Sequence, residues 1–309
     1  MKSINFSKIF VLGAGAIGSV YGALLSQRND VTLIGKKAHV NAVNSKGLSI
    51  SGDVNKVFHL RADTEIHETL ENTLVILTTK AYDSVKAIKG IKNFLKKNTV
   101  ILILQNGLEN EKIISVVGDE VEILRGITAM AAEFFEPGKI RFWSGETIIK
   151  RNEVAERIAK VFNGCMLKTS LSDDISTDIW NKLIVNCAVN PLSAIFQVKN
   201  NEIAANSLKT VRHKIVRECI NVGKAEGISF PADLEEKIDR EISSYTNFSS
   251  MCQDVMKNRR TEIDFLNGKI VELGRKHHIP TTVNETIVCL VKFLEEKHGI
   301  SGKNQAKEG

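Results

Sequence analysis

Aromatic side chains are scarce in this chain, 6% of 309 residues, and its 42 lysines and arginines are scattered rather than gathered into a stripe. Nucleic-acid grooves interleave aromatic and basic residues. This scarcity therefore argues against a nucleic-acid partner, although a formal net charge of +6 would tolerate an anionic ligand. The five cysteines, Cys165, Cys187, Cys219, Cys252 and Cys289, stand far apart and none forms a CxxC pair. Plain buried thiols in a reducing cytoplasm are expected, with no metal site. No segment reaches the roughly 18 to 20 uninterrupted apolar residues of a membrane span. The opening MKSINFSKIFVLGAGAIG has a lysine before an apolar run. That run is short, carries glycines at turn spacing and precedes no small-residue cleavage site, so it is not read as a signal peptide. No internal repeat or low-complexity segment is found.

What remains is an ordinary globular composition, 43% hydrophobic and 25% charged, in a chain long enough for two domains. Residues 8 to 34 read as strand, turn, helix and strand: KIFVLG, AGAIGSVYGALLSQR and DVTLIG. The runs TLVILTT and TVILILQ follow between helical stretches and suit strands buried on both faces of a parallel sheet. Between them GLSISGDVNKVFHLRA, broken at Gly52-Asp53, reads as a hairpin-like excursion. ILRGITAMAAEFF and KIRFWSGETII flank a turn at Glu136-Pro137-Gly138. From about Asp173 helical patterns dominate, with Gly227 and Gly299 as helix-terminating glycines and Pro231 and Pro280 near helix starts. The fold class is α/β: a Rossmann-type dinucleotide-binding domain over residues 1–172, followed by an all-helical domain over residues 173–309.

Gly13, Gly15 and Gly18 form G-A-G-A-I-G between an apolar strand and a helix. Gly13 permits the tight turn, Gly15 lets backbone amides approach a pyrophosphate, and Gly18 allows close strand-helix packing. An acid about 20 residues on would bind a ribose 2′-hydroxyl, whereas a cation accommodates a 2′-phosphate. After DVTLIG come Lys36 and Lys37 and no acid, which favours NADP; the alternative is two solvated lysines. Lys80 and Asn106 end two further strands, where open α/β sheets bind ligands.

WNKLIVNCAVNPLSAI, residues 180 to 195, poses the sharpest question. Its first eleven residues read as a helix fit for burial, yet Lys182, Asn186 and Asn190 recur every fourth position. At about 100° per residue they share a stripe about 80° wide. Such a stripe poses the question why a helix fit for burial carries an ammonium and two amides in one line; one reading is an interhelical network around a buried lysine.

Through VLGAGAIG, TTKAYD, QNG, WNKLIVNCAVNPLSAI and FSSMCQDVMKNRRTEIDFLNG the chain resembles the ketopantoate reductases, or 2-dehydropantoate 2-reductases, over nearly its whole length. The resemblance implies that Lys182 and Glu262 are catalytic, Lys182 as the general acid and Glu262 close to both lysine and cofactor. It makes Asn106, Asn186, Asn190, Asn200 and Ser250 substrate contacts alongside Lys182. It assigns NADP to Gly13, Ala14, Gly15, Ala16, Ile17, Gly18, Lys36, Lys80, Asn106, Ala132 and Glu262. Lys36 stands where the family often has arginine, which keeps the charge and loses the bidentate fork. Ile149-Lys150 replaces the family's usual Ile-Gly pair.

The expected activity is NADPH-dependent reduction of 2-dehydropantoate to pantoate, in pantothenate and coenzyme A synthesis, by a cytoplasmic enzyme. The partner is a small 2-oxo acid, and a homodimer is carried as an expectation. The rivals are a reductase of another 2-oxo acid or imine, and an NADPH sensor without turnover. Without the family pattern, Ser250 reads as a helix cap, and Arg259, Arg260 and Glu262 as surface ion pairing.

Overall fold

The apolar runs near the start of the chain become strands because each finds cover on both faces. The computed structural model describes residues 6–67, 71–108, 111–117 and 121–300. In chain order the first unit holds β1 (Lys8–Leu12), α1 (Ala16–Leu25), β2 (Val31–Ile34), α2 (Lys37–Lys46), β3 (Leu48–Gly52), β4 (Lys56–Phe58) and β5 (Arg61–Asp63). It continues with β6 (Thr73–Leu77), α3 (Ser84–Ile91), β7 (Val100–Ile103), α4 (Glu111–Val117), β8 (Glu122–Thr128), β9 (Ala131–Glu136), β10 (Lys139–Trp143), β11 (Thr147–Lys150), α5 (Glu153–Asn163) and β12 (Thr169–Ser172).

Eight of these strands form one sheet, ordered β12-β11-β8-β7-β6-β1-β2-β5. It is parallel from β5 to β8, and β11 joins β8 antiparallel. All five residues of β6 and all four of β2 and β7 are buried, which explains their unbroken apolar sequences. The expected hairpin at residues 47 to 62 is present as β3 and β4. It belongs to a second sheet, β4-β3-β10-β9, in which β10 runs parallel to β3. That parallel pairing was not anticipated, since it joins segments about ninety residues apart.

Helix α1 packs against β1 and β2 on one side and against β3, β9 and β10 on the other. Every residue from Gly18 to Leu25 is accordingly buried, so α1 has no solvated stripe. Tyr21 reaches Thr147 Oγ1 on β11 at 2.5 Å, and burial pushes its phenol up to about 12. His39 on α2 joins the layers: Nδ1 accepts the Gly138 N–H at 3.0 Å, and Nε2 lies 3.0 Å from Ser19 Oγ. The acceptor role of Nδ1 places the proton on Nε2, and burial lowers the pKa of this imidazole.

The second unit comprises Asn106–Leu108 and the chain from Ser176 onward; the first runs to Gln105 and resumes through Ile175. The division thus falls at 175/176 rather than 172/173, and it moves three residues of the strand-rich part into the helical unit. The helices are α6 (Ile175–Phe196), α7 (Asn206–Ala225), α8 (Leu234–Ile242), α9 (Ser250–Met256), α10 (Asn267–Lys276) and α11 (Thr282–Lys297). RRTEIDFLNGKIVELGRKHH is not one helix: a 3-10 turn at Ile263–Phe265 precedes α10, and Leu266 between them adopts φ −107°, ψ −101°. Gly227 and Gly299 have φ of +86° and +66°, the left-handed conformation expected where helices stop.

Helix α6 also corrects the sequence reading, for it passes through Pro191 to Phe196 instead of stopping at Asn190. Proline lacks the N–H that would bond the carbonyl four residues back. Asn267 supplies the missing donor, its Nδ2 reaching the Cys187 carbonyl at 3.0 Å. The same amide bonds Asn284 Oδ1 at 2.9 Å, and Glu218 on α7 accepts from the Val283 and Asn284 N–H groups at 2.9 Å. A fully buried amide pair therefore ties α6, α7, α10 and α11 together. Four cysteines are buried as expected, but Cys289 on α11 is exposed.

Candidate functional site

In the first unit the candidate residues other than Ala132 gather at the carboxyl ends of β1, β2 and β6. Gly13 has φ +112°, and a Cβ there would lie 2.5 Å from the Thr79 nitrogen. A Cβ on Gly18 would lie 2.2 Å from the Gly13 carbonyl oxygen, which Thr78 Oγ1 also bonds at 2.9 Å. These two glycines are required by the protein's own packing. Gly15 differs: a Cβ there would meet nothing within 4 Å. Gly15 is exposed and is the N-cap of α1, whose first turn carries no acidic residue. An open cradle at a helix N-terminus, where the first backbone N–H groups have no intrahelical acceptor, fits a dinucleotide pyrophosphate.

Ala14 packs under Gly35, whose Cβ would come within 2.6 Å of the Ala14 methyl, and this sets the start of the Gly35-Lys36 turn. Lys36 is exposed and is the N-cap of α2, with its carbonyl accepting from the His39 and Val40 N–H groups. Lys80 is half-buried at the N-cap of the 3-10 turn Ala81–Asp83. Ala132, on β9, packs on the same core as Ala16 and Ile17. Gln105 fixes two of these segments at once: its Nε2 donates to the Thr79 carbonyl at 2.6 Å, to Thr79 Oγ1 at 2.8 Å and to Ser84 Oγ at 2.7 Å. The start of the Lys80 turn is thereby tied to the residue before Asn106.

In the second unit Lys182, Asn186 and Asn190 do lie along one helix, α6, and their exposure falls along it. Lys182 and Asn186 are half-buried, while Asn190 is 7% exposed. The next contact is at the backbone of Asn190, whose carbonyl accepts from Ser249 Oγ at 3.3 Å. Ser249 also accepts the Cys252 N–H at 3.0 Å, which makes it the N-cap of α9. The capping role that the sequence offered Ser250 thus belongs to Ser249. Ser250 is exposed at the first position of α9, close to the Asn190 end of the stripe. Asn200 joins the same region through its backbone N–H, which donates to the Asn247 carbonyl at 3.0 Å. Its side chain is buried, and its Oδ1 accepts no hydrogen bond from the protein. Such an oxygen fits a site that receives a donor from a bound molecule.

Glu262 is not on the surface: it is 6% exposed. Asn106 Nδ2 donates to Glu262 Oε2 at 3.4 Å, although the two are 156 positions apart. Gly107 explains the approach. It has φ +85°, and a Cβ there would lie 2.9 Å from the Phe265 carbonyl oxygen, so only glycine lets these backbones meet.

Two family models account for most of the chain. Residues 9–153 match "Ketopantoate reductase PanE/ApbA", and residues 174–295 match "Ketopantoate reductase PanE/ApbA C terminal". The chain belongs to the ketopantoate reductase family. Ketopantoate reductases are oxidoreductases, and so is this chain. The 2-dehydropantoate 2-reductase of Pyrococcus horikoshii is 37% identical over 302 residues, covering 94% of this chain and 99% of the relative. That of Archaeoglobus fulgidus is 31% identical, with 94% and 99% covered. The crystal structure of a ketopantoate reductase from Ralstonia eutropha JMP134 superposes with a TM-score of 0.88 at 31% identity, covering 94% of this chain and 99% of that one. A D-mandelate dehydrogenase solved with NADH and anilino(oxo)acetate gives a TM-score of 0.87 at 28% identity over the same shares.

Sequence reasoning missed Gln105, Ser249 and Thr78, which hold ketopantoate reductase motif residues without being assigned a role. A signal existed for two of them. Gln105 is an amide ending an apolar run, and Thr78 opens TTK at the end of another. Among the described residues no helix is long and apolar enough to cross a membrane, and no group of three or more His, Cys, Asp or Glu side chains could hold a metal ion.

Proposed function

We propose that this protein is a cytoplasmic NADPH-dependent reductase of 2-dehydropantoate, with Lys182 as general acid. The observation that carries the reading is the polar line on α6. A lysine and two asparagines occupy one face of a helix otherwise built for burial, and that line ends beside Ser249 and Ser250. Amides on that line suit the hydroxyl groups of a small polar acid, and in this reading Ser250 meets its carboxylate. When bound, reduced nicotinamide supplies the hydride that adds to the C2 carbonyl carbon. Lys182 donates a proton from Nζ to the carbonyl oxygen as that oxygen gains negative charge, leaving a hydroxyl.

The glycine loop holds the pyrophosphate of the dinucleotide, Lys36 faces the 2′-phosphate, and Lys80, Asn106, Ala132 and Glu262 complete the contacts. Lys36 at the N-cap of α2 and the lack of an acid in the first turn of that helix support a 2′-phosphate over a bare hydroxyl. The likeness to D-mandelate dehydrogenase favours a second reading in which the machinery is kept and another 2-oxo acid is reduced.

Steady-state oxidation of NADPH with 2-dehydropantoate and a panel of other 2-oxo acids, repeated with NADH, tests both. Preference for 2-dehydropantoate and NADPH is the expected result. Turnover confined to another 2-oxo acid replaces the substrate and keeps the mechanism. Tight NADPH binding with no turnover on any member of the panel overturns the enzyme reading in favour of a sensor.

A further inference from the structure

The residues on either side of Glu262 are fixed by a single carboxylate on α11. Glu295 is 2% exposed, and its Oε1 accepts from both the backbone N–H and the Oγ1 hydroxyl of Thr261, each at 2.7 Å. Thr261 Oγ1 in turn accepts the Ile263 N–H at 3.3 Å. Lys292, three residues before Glu295 on α11, donates to Glu295 Oε2 at 3.2 Å and to Asp264 Oδ2 at 2.6 Å. The segment is therefore pinned at Thr261, Ile263 and Asp264, and Glu262 lies between the pins with its own carboxylate facing Asn106.

A buried carboxylate is a poor fastener if attachment is all that is needed, because apolar groups of similar volume hold helices as well or better. What Glu295 adds is direction. Two donors of one residue converging on one oxygen fix both the peptide plane and the χ1 rotamer of Thr261, and with them the direction of the next side chain.

We propose that Glu295, acting through Thr261, is a positioning residue that aims the Glu262 carboxylate. The inference rests on the function proposed above, and its test separates the two. Turnover is measured for the wild type, Lys182→Ala, Glu262→Gln, Glu295→Gln, Thr261→Val, Thr261→Ser and the double variant of Thr261→Val with Glu262→Gln. Displacing a reacting group by a fraction of an ångström lowers turnover steeply, so kcat per folded molecule falls roughly ten- to a hundredfold in Thr261→Val and Glu295→Gln. NADPH binding followed by fluorescence weakens no further than it does in Glu262→Gln, because both variants act through that carboxylate. Thr261→Ser, which keeps the hydroxyl, restores kcat. In the Glu262→Gln background Thr261→Val brings no further loss, because it acts only through the group already removed.

Multiplying losses in the double variant, or an unchanged kcat in both Thr261→Val and Glu295→Gln, overturns the positioning role. Full activity of Glu262→Gln beside an inactive Lys182→Ala also overturns it and leaves the reductase reading standing. Absence of wild-type turnover on every 2-oxo acid overturns the reductase reading, and the inference with it.

Discussion

At the scale of single residues the candidate site divides into side chains that act and side chains that hold them. We propose Lys182 for the first group. With a positioned general acid contributing about 10²- to 10⁴-fold, Lys182→Ala should lose turnover by that factor while its circular dichroism stays that of the wild type. Lys36 should act on binding alone. Lys36→Ala is expected to raise KM for NADPH roughly tenfold, the worth of one charge-assisted contact, and to leave KM for NADH unchanged; equal effects on the two cofactors would remove Lys36 from the 2′-phosphate. Lys182, Asn186 and Asn190 were legible because three polar residues at one spacing break an apolar pattern, which one sequence suffices to show. Ser249 and Glu295 were not, because their roles are set by Asn190 and Thr261, residues far off in the chain.

At the scale of elements, α6 shows how a rule of local structure yields to a distant side chain. The helical reading covers residues 180 to 190, and proline at the next position is locally a sound place for a helix to stop. The helix continues because Asn267, eighty positions away, bonds the carbonyl that the proline leaves open. Asn267→Ala strands that carbonyl in the core and should lower stability by about 1–3 kcal/mol in urea titrations. Asn186→Ala, by contrast, changes a half-buried face and should leave the urea midpoint close to wild type while raising KM for the 2-oxo acid. The apolar strands β1, β2, β6 and β7 were legible for the opposite reason: each carries its burial on both faces in its own sequence. The β3–β10 pairing was hidden, since nothing in either strand names its partner.

At the scale of the whole molecule, a change of composition near residue 173 already marked the passage from sheet to helices. Acidity provides a global test. The imidazole of His39 titrates below its ordinary value because it is buried, and its Nδ1 accepts the Gly138 N–H. Between those two values the unfolded chain binds a proton that the folded chain does not, so stability is fully present above the ordinary value of about 6.5 and is lost as pH falls below it. Thermal melts from pH 7.5 down to 5 should show this decline. His39→Gln, which keeps a donor and an acceptor, should flatten it, and an unaltered slope would assign the decline to other groups.

Asn106–Leu108 bear on how such enzymes can be recombined. These three residues are encoded with the sheet but pack with Glu262 and Phe265. A chimera spliced near residue 173 from two related parents would inherit the loop from one and its seat from the other. Exchange by halves is therefore constrained at a place far from the splice: the parent that supplies the loop must keep glycine at 107, because the Phe265 carbonyl from the other parent leaves no room for a Cβ there.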